Sequence, residues 1–159
     1  MNKQLLKDAL LRSLDEEINA ALVVAGEAHA TASHGENKPE NQYDTLALEA
    51  AYLAHGQSER ILQLQQTRIN LSRWVAPTFN EDDSVRMGAC AVLLSENDEE
   101  RSIFIAPVGG RELDFEGQKI LVVNQEAPVT RRLIGLSVGD EVELTLGGRS
   151  AVWELLAIH

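Results

Sequence analysis

The sequence is poor in cysteine and in aromatic side chains: Cys90 is the single thiol, and Phe, Trp and Tyr make up 4% of the 159 residues. One thiol cannot form an internal disulfide. With no second cysteine and no neighbouring cluster of histidines, it also lacks the ligands of a zinc site. We therefore expect Cys90 to fill the hydrophobic core.

Long apolar runs are also missing. No segment approaches the roughly 18 consecutive apolar residues of a membrane-spanning helix. The first 17 residues carry four acidic side chains where a signal peptide would be apolar, namely Asp8, Asp15, Glu16 and Glu17. These features predict a cytoplasmic protein with no membrane partner.

Positive charge is scarce as well. The chain has 14 Lys and Arg against 25 Asp and Glu, for a net charge of −11, and its longest basic cluster is Arg131-Arg132. Proteins bind nucleic acid largely by neutralising phosphates with Lys and Arg. We therefore expect no independent binding to nucleic acid, and partners that are basic surfaces, metal ions or other proteins.

The composition fits one or two small folded domains, since 44% of residues are hydrophobic and 25% are charged. The charge is uneven along the chain. Residues 1–74 hold seven basic and ten acidic side chains, whereas residues 75–159 hold seven and fifteen. This asymmetry favours two modules.

Proline is absent from residues 4–33 and 41–73, and both stretches carry apolar residues at alternating spacings of three and four. This pattern predicts two long helices with heptad seams. The first seam comprises Leu11, Leu14, Ile18, Ala21, Ala25, Ala28 and Ala32, and the second comprises Ala47, Ala50, Ala54, Gln57, Ile61, Leu64, Arg68 and Leu71. Gly35 and Pro39 lie between the helices and favour a tight reversal, hence an antiparallel hairpin. Alanines near the turn predict a slender end.

The period changes to two after Pro77, which predicts a strand-rich second module. The candidate strands are residues 89–94, 102–107, 119–124, 141–146 and 151–158, and one short helix is expected at 127–134 with Gly135 as its C′ residue. The predicted fold class is α+β, with a helical hairpin domain at 1–75 and a small antiparallel β domain with one short helix at 76–159.

Sequence motifs of self-contained catalysis are absent: we find no nucleophile elbow, P-loop, dinucleotide fingerprint or metalloprotease helix. Three acidic residues stand out instead at the hairpin turn, namely Glu36, Glu40 and Asp44. A compact carboxylate group is what a hard divalent cation recruits. A structural interpretation stays open, because Asn37 followed by Glu40 also resembles a helix cap with its capping-box glutamate.

Several segments resemble Gre-type transcript cleavage factors, the GreA/GreB family. They include His34-Gly35-Glu36, Glu40-Asn41 with Tyr43, and residues 56–61 (GQSERI). In the second half, residues 104–110 (FIAPVGG), 127–135 (APVTRRLIG) and 138–142 (VGDEV) resemble the FKBP-like domain of that family. The resemblance covers most of the chain.

This resemblance implies a partner, bacterial RNA polymerase, with the FKBP-like domain docking beside the secondary channel and the coiled-coil hairpin entering it. Glu36 and Glu40 would then be the catalytic acids, and Glu36, Glu40 and Asp44 would bind a metal ion only in the polymerase complex. They would share Mg²⁺ with the polymerase active centre, so that the polymerase cleaves backtracked RNA by its own chemistry. No tightly bound cofactor is expected. The protein would be a monomer, and the polymerase rather than this chain would be the enzyme.

Three other functions remain open at this stage. The protein could occupy the secondary channel as a competitor without promoting cleavage. The FKBP-like resemblance also allows a peptidyl-prolyl isomerase, which would need an apolar pocket lined by aromatic side chains. Pairing of hairpins could instead build a structural dimer.

Overall fold

A computed structural model describes residues 1–33 and 45–159 of the chain. Helix α1 spans Lys3–Ser33 and helix α2 spans Thr45–Arg73. The side chain of Asn2 caps α1, because its Oδ1 accepts hydrogen bonds from the backbone N–H groups of Gln4 and Leu5 at 3.1 and 3.2 Å. The two predicted long helices are confirmed, although the predicted start of the second at residue 41 lies outside the described residues.

The chain divides by its contacts into two compact units. One is Leu11–Arg73, and the other combines Met1–Leu10 with Trp74–His159. The first two turns of α1 therefore belong to the same unit as the second half of the chain. The sequence-based domains, 1–75 and 76–159, stay a prediction about how the protein divides.

The helical unit has the heptad seam that the sequence predicts. Among its described seam side chains, five are buried or nearly so and the others are half-buried. The buried ones are Leu14, Ile18, Ala21, Ile61 and Leu71. Positions outside the seam, such as Val23 and Leu62, are exposed. Burial every three to four residues is the pattern of helices packed side by side.

The second unit is built on a six-stranded sheet. Its strands are β1 (Cys90–Ser95), β2 (Glu100–Ile105), β3 (Arg111–Phe115), β4 (Gln118–Val123), β5 (Glu141–Leu146) and β6 (Arg149–Ile158), in the spatial order β3-β4-β2-β1-β6-β5. Five of these strands match the sequence prediction, and β3 was missed. The sheet is mixed rather than fully antiparallel, since β2 and β4 pair in parallel, with Phe104 opposite Val122.

One face of the sheet carries the main core of this unit. Helix α3, which spans Pro128–Leu133, contributes the fully buried Leu133 to that core. The strands contribute Ala91, Leu93, Ile103, Ile105, Val123, Leu144, Trp153 and Leu155. Gly135 follows α3 with φ of +87°, which confirms the predicted C′ glycine.

The opposite face of the sheet is buried only in part. Phe104 and Cys90 point to this face and are fully buried, and the ring of Trp74 lies 6.2 Å from that of Phe104. The first turn of α1 is joined to the same region by Lys3, whose Nζ donates a hydrogen bond of 2.8 Å to the carbonyl of Gly88. The prediction that Cys90 is a core residue is confirmed. In the described part of the chain, neither long helix has the length of apolar sequence that crossing a bilayer requires.

Candidate functional site

The three predicted site residues, Glu36, Glu40 and Asp44, lie outside the residues that the structure describes. In sequence they fall between the end of α1 at Ser33 and the start of α2 at Thr45. Their predicted roles as metal-binding acids therefore stay a prediction. What the structure does describe is the pair of helices that flanks this segment.

Two ion pairs join the flanking helices. Arg68 on α2 donates from Nε and Nη2 to the two carboxylate oxygens of Asp15 on α1, the second bond being 3.0 Å long. Arg60 on α2 also donates from Nη2 to one carboxylate oxygen, Oε1, of Glu17 on α1. Asp15 precedes Glu17 on α1 whereas Arg68 follows Arg60 on α2, so the two helices run antiparallel, as the sequence predicts.

The Asp15–Arg68 pair also explains a polar interruption of the heptad seam. Arg68 occupies a seam position, where an apolar residue is the rule. Its guanidinium forms a two-point contact with the carboxylate, which suits the planar geometry of both groups. This hydrogen bond and the adjacent positive charge lower the pKa of Asp15 below its ordinary 3.8. The ion pair therefore helps to align α1 with α2 at a position where the seam lacks an apolar contact.

Within residues 1–33 and 45–159, no group of three or more His, Cys, Asp and Glu side chains is arranged to hold a metal ion. His55 lies 3.5 Å from Glu59, one turn away on the exposed surface of α2. An exposed pair of this kind is common on helices and does not indicate a ligand site.

The segment leading into α3 is organised by Asn124, the residue that follows β4. Its side-chain Oδ1 accepts a hydrogen bond of 3.0 Å from the backbone N–H of Ala127, and its carbonyl accepts one of 2.6 Å from the hydroxyl of Thr130. Pro128 stands at the first position of α3, where its missing N–H costs nothing. Gly109 approaches this segment so closely that a Cβ atom would lie 2.4 Å from the backbone nitrogen of Asn124. Close packing therefore accounts for Gly109, whereas the next residue, Gly110, has open space around it and a φ of +74°.

A cavity of about 410 Å³ lies between α3 and the β5–β6 hairpin. Two basic side chains, Arg131 and Arg132, and the carboxylate of Glu143 line it, together with Pro128, Val129 and Thr145. Its lining contains no aromatic side chain. Such a surface can contact polar groups of a partner but offers no aromatic wall for a proline ring.

Sequence reasoning missed a cluster around the first turn of α1. The ammonium of Lys3 lies 3.9 Å from the centre of the Phe79 ring and donates to the carbonyls of Pro77 and Gly88. Arg86 lies 4.3 Å from the same ring. Burial, and secondarily the charge of Arg86, lower the pKa of Lys3 from 10.5 to about 8, against the opposing effect of Cys90. No local sequence signal marks Lys3, because its partners are more than 70 residues away in sequence.

Comparison with known proteins fits this architecture. The family described as "Transcription elongation factor, GreA/GreB, C-term" matches residues 80–159, which is half of the chain. The transcription elongation factor GreA of Chelativorans sp. (strain BNC1) is 31% identical over 154 residues, covering 97% of this chain and 90% of that protein. The chain belongs to the GreA/GreB family. This assignment confirms the resemblance that the sequence motifs indicated.

Other relatives agree with the assignment. GreA of Mesorhizobium japonicum is 29% identical over 154 residues, covering 97% of this chain and 90% of that protein. Among solved structures, GreA factor homolog 1 (Gfh1) of Thermus thermophilus covers 94% of this chain and 94% of its own, with 17% identity and a TM-score of 0.41. That TM-score is too low to add to the assignment.

Proposed function

We propose that this GreA/GreB family member is a cytoplasmic, monomeric accessory factor of bacterial RNA polymerase that stimulates cleavage of backtracked RNA. The helical hairpin enters the secondary channel, and the β domain docks at its entrance. Glu36 and Glu40 act at the hairpin tip, with Asp44 assisting. The polymerase active centre performs the hydrolysis, so the factor is not an enzyme by itself.

One observation carries the proposal: two antiparallel helices of 31 and 29 residues flank a segment of eleven residues that holds three carboxylates. At about 1.5 Å per residue, each helix is about 45 Å long. Helices of this length could hold the acids far from the opposite ends of the two helices. Family membership supports the same role, since the relatives that match over nearly the whole chain are named transcription elongation factors.

The proposed tip acids would act on a cation. Glu36, Glu40 and Asp44 supply the hard oxygen ligands that Mg²⁺ prefers. A bound Mg²⁺ supplies charge stabilisation in the transition state and makes a coordinated water a better nucleophile. The carboxylates of this chain would hold and orient that shared ion only while the hairpin occupies the channel.

The test presents a stalled, backtracked transcription complex with labelled RNA to the native protein and to a Glu36→Gln, Glu40→Gln double variant. We expect the native protein to shorten the RNA at least tenfold faster than the variant does. The matched control is Glu16→Gln with Glu96→Gln, which removes two exposed carboxylates elsewhere and should cleave like the native protein. Equal cleavage by the tip variant and the native protein would refute the role of the two acids.

A second candidate function is occupancy of the channel without cleavage. The feature that favours it is Lys38, whose positive charge lies between Glu36 and Glu40 in sequence and would weaken their attraction for a cation. In the same assay a competitor leaves the RNA unchanged and slows cleavage by an added active GreA. A Lys38→Ala variant that gains cleavage activity would identify Lys38 as the cause.

The isomerase alternative has less support. The cavity beside α3 is lined by Arg131, Arg132, Glu143 and small or aliphatic residues rather than aromatic ones. A proline-containing tetrapeptide assay would test it directly, and we expect no acceleration of isomerisation above the uncatalysed rate.

A further inference from the structure

Part of the sheet face opposite the main core is open and acidic. Strand register places Glu141, Glu154, Leu94 and Glu100 in one row across β5, β6, β1 and β2. In the adjacent row Glu143 lies opposite Val152. Their neighbours along each strand, such as Leu93, Trp153 and Leu155, point to the buried core. Since side chains alternate between faces, these carboxylates and apolar residues share one surface. We call it the acidic face.

The apolar members of the acidic face are accessible. Val152 is 39% exposed and Leu156, two residues beyond Glu154, is 38% exposed. Leu156 also borders a groove of about 400 Å³, whose lining includes Val92, Phe115, Glu100 and Glu116. The acidic face therefore presents exposed apolar side chains next to carboxylates.

Three carboxylates of this face, Glu100, Glu141 and Glu154, are exposed. The salt bridges of Arg86, Arg101 and Lys119 in the same unit are formed with other carboxylates. Glu143 is exposed as well and lies at the edge, where it also lines the cavity of Arg131 and Arg132. Glu141 and Glu154 are also directly opposite each other in the β5–β6 ladder. Like charges at directly opposed positions destabilise a sheet, so a cation placed between them would relieve this repulsion.

We propose that the acidic face is a docking surface for a basic amphipathic segment of another protein. Apolar side chains of that segment would cover Val152 and Leu156, and its Lys or Arg side chains would pair with the carboxylates. A basic segment is the expected partner because its positive charges complement the carboxylates of the acidic face. Nucleic acids and anionic membranes would meet repulsion, and a second copy of the chain would bring the same carboxylates against each other. The proposal does not depend on the proposed role in transcript cleavage.

The experiment titrates isotopically labelled full-length protein with a designed 18-residue helical peptide that carries leucines on one face and flanking lysines. A matched peptide has glutamate in place of every lysine. Backbone amide shifts are recorded by NMR, and affinity is measured by fluorescence anisotropy at two salt concentrations. We expect shifts centred on Leu94, Val152, Glu154 and Leu156, binding that weakens with salt, and at least tenfold weaker binding of the glutamate peptide.

Variants of the acidic face separate charge from apolar contact. Glu141→Gln with Glu154→Gln should weaken peptide binding about fivefold, since exposed ion pairs contribute little individually. Leu156→Ser should weaken it about tenfold by removing a central apolar contact. The control Glu96→Gln with Glu126→Gln changes the net charge equally at other exposed sites and should alter affinity less than twofold. Amide spectra of each free variant verify folding, and the glutamine variants remain informative if Leu156→Ser unfolds.

Five outcomes would overturn the proposal. The two peptides could bind equally, or their shifts could map to another surface, such as the exposed positions of α2 around Leu62. The glutamine double variant could bind like its control. Shifts on the acidic face that depend on protein concentration without peptide would identify a second copy as the occupant. A labelled single-stranded RNA that shifts the same amides would identify a nucleic acid instead.

Discussion

Arg68 on α2 holds both carboxylate oxygens of Asp15 on α1, with its Nη2 3.0 Å from Oδ2. The contact joins two residues that are 53 positions apart in sequence and occupy opposite arms of the hairpin. It therefore fixes which turn of α1 faces which turn of α2. Apolar seam positions repeat every heptad and could pair in more than one register, whereas this hydrogen-bonded pair fits only one.

The stability of the helical hairpin should depend on pH in the acidic range because of Asp15. Its pKa is lowered in the folded state, so its contribution is present above the ordinary value of 3.8 and is lost as pH falls through the lower folded value. Asp15→Asn should lower the melting temperature at pH 7, and the difference from the native protein should shrink progressively below pH 3.8. Thermal unfolding followed by circular dichroism between pH 7 and pH 2 measures this. A difference that is the same at every pH would mean that the charge of Asp15 contributes nothing.

Lys3 should make the stability of the second unit depend on pH in the alkaline range. Its folded pKa is about 8 against an ordinary 10.5, so the charged form is disfavoured by folding. The unfolded chain then binds more protons between these values, and stability rises with pH through that window. Lys3→Met should reduce this rise. Urea unfolding at pH 7.5 and pH 8.5 tests it, because both values lie below 9.0, the ordinary pKa at which the Cys90 thiol ionises in the unfolded chain.

Cys90 should be unreactive in the folded protein. It is fully buried, and burial raises the pKa of its thiol to about 12 despite the nearby charge of Lys3. Since the thiolate is the reactive form, alkylation by iodoacetamide should be very slow at pH 8 and rapid in 6 M guanidinium. Fast labelling of the native protein would contradict the burial. Because the pKa is raised, the contribution of the neutral thiol to stability is present below pH 9 and is lost as pH rises toward 12.

The opposed carboxylates of the acidic face should cost stability. Glu154→Lys replaces a like-charge pair with an opposite-charge pair across from Glu141, and pairs of this kind differ by about 0.2–1 kcal/mol. We expect the variant to unfold at higher urea concentration than the native protein, with Glu96→Lys as an exposed control that changes little. A loss of stability on introducing the lysine would show that the two carboxylates do not repel.

The sequence predicted the regular features of the fold because they follow from local periodicity. The heptad spacing of Leu14 and Ile18 identified the buried stripe of α1, and Gly135 identified the end of α3. Strand β3 was missed because the segment at 111–115 has only two apolar residues, Leu113 and Phe115, among charged ones. The sequence signal for a hairpin was the alternation of these two residues with charged ones, followed by the turn residues Glu116-Gly117. In the structure, Glu116 and Gly117 both have positive φ.

The relationships that the sequence could not reveal are those between distant residues. Nothing near Lys3 in sequence indicates that its ammonium contacts Phe79 and Gly88, or that the first turns of α1 join the β unit. The parallel pairing of β2 with β4 is likewise a property of the whole sheet. The acidic face needed strand register, since Glu141, Glu154 and Glu100 are spread over more than 50 residues and meet only when four strands align.

Gly88 should tolerate no side chain. A Cβ atom there would lie 2.3 Å from Cδ of Pro77 and 3.3 Å from the ring of Trp74, and the backbone has φ of +91°. Gly88→Ala should therefore destabilise the protein by about 2–4 kcal/mol through steric overlap and backbone strain. Gly56 on α2 is the matched control: a Cβ there meets nothing within 4 Å, and Gly56→Ala should stabilise by about 0.5–1 kcal/mol because alanine favours helix. Urea unfolding of both variants measures the contrast, and similar effects of the two substitutions would contradict the close packing of Gly88 against Pro77.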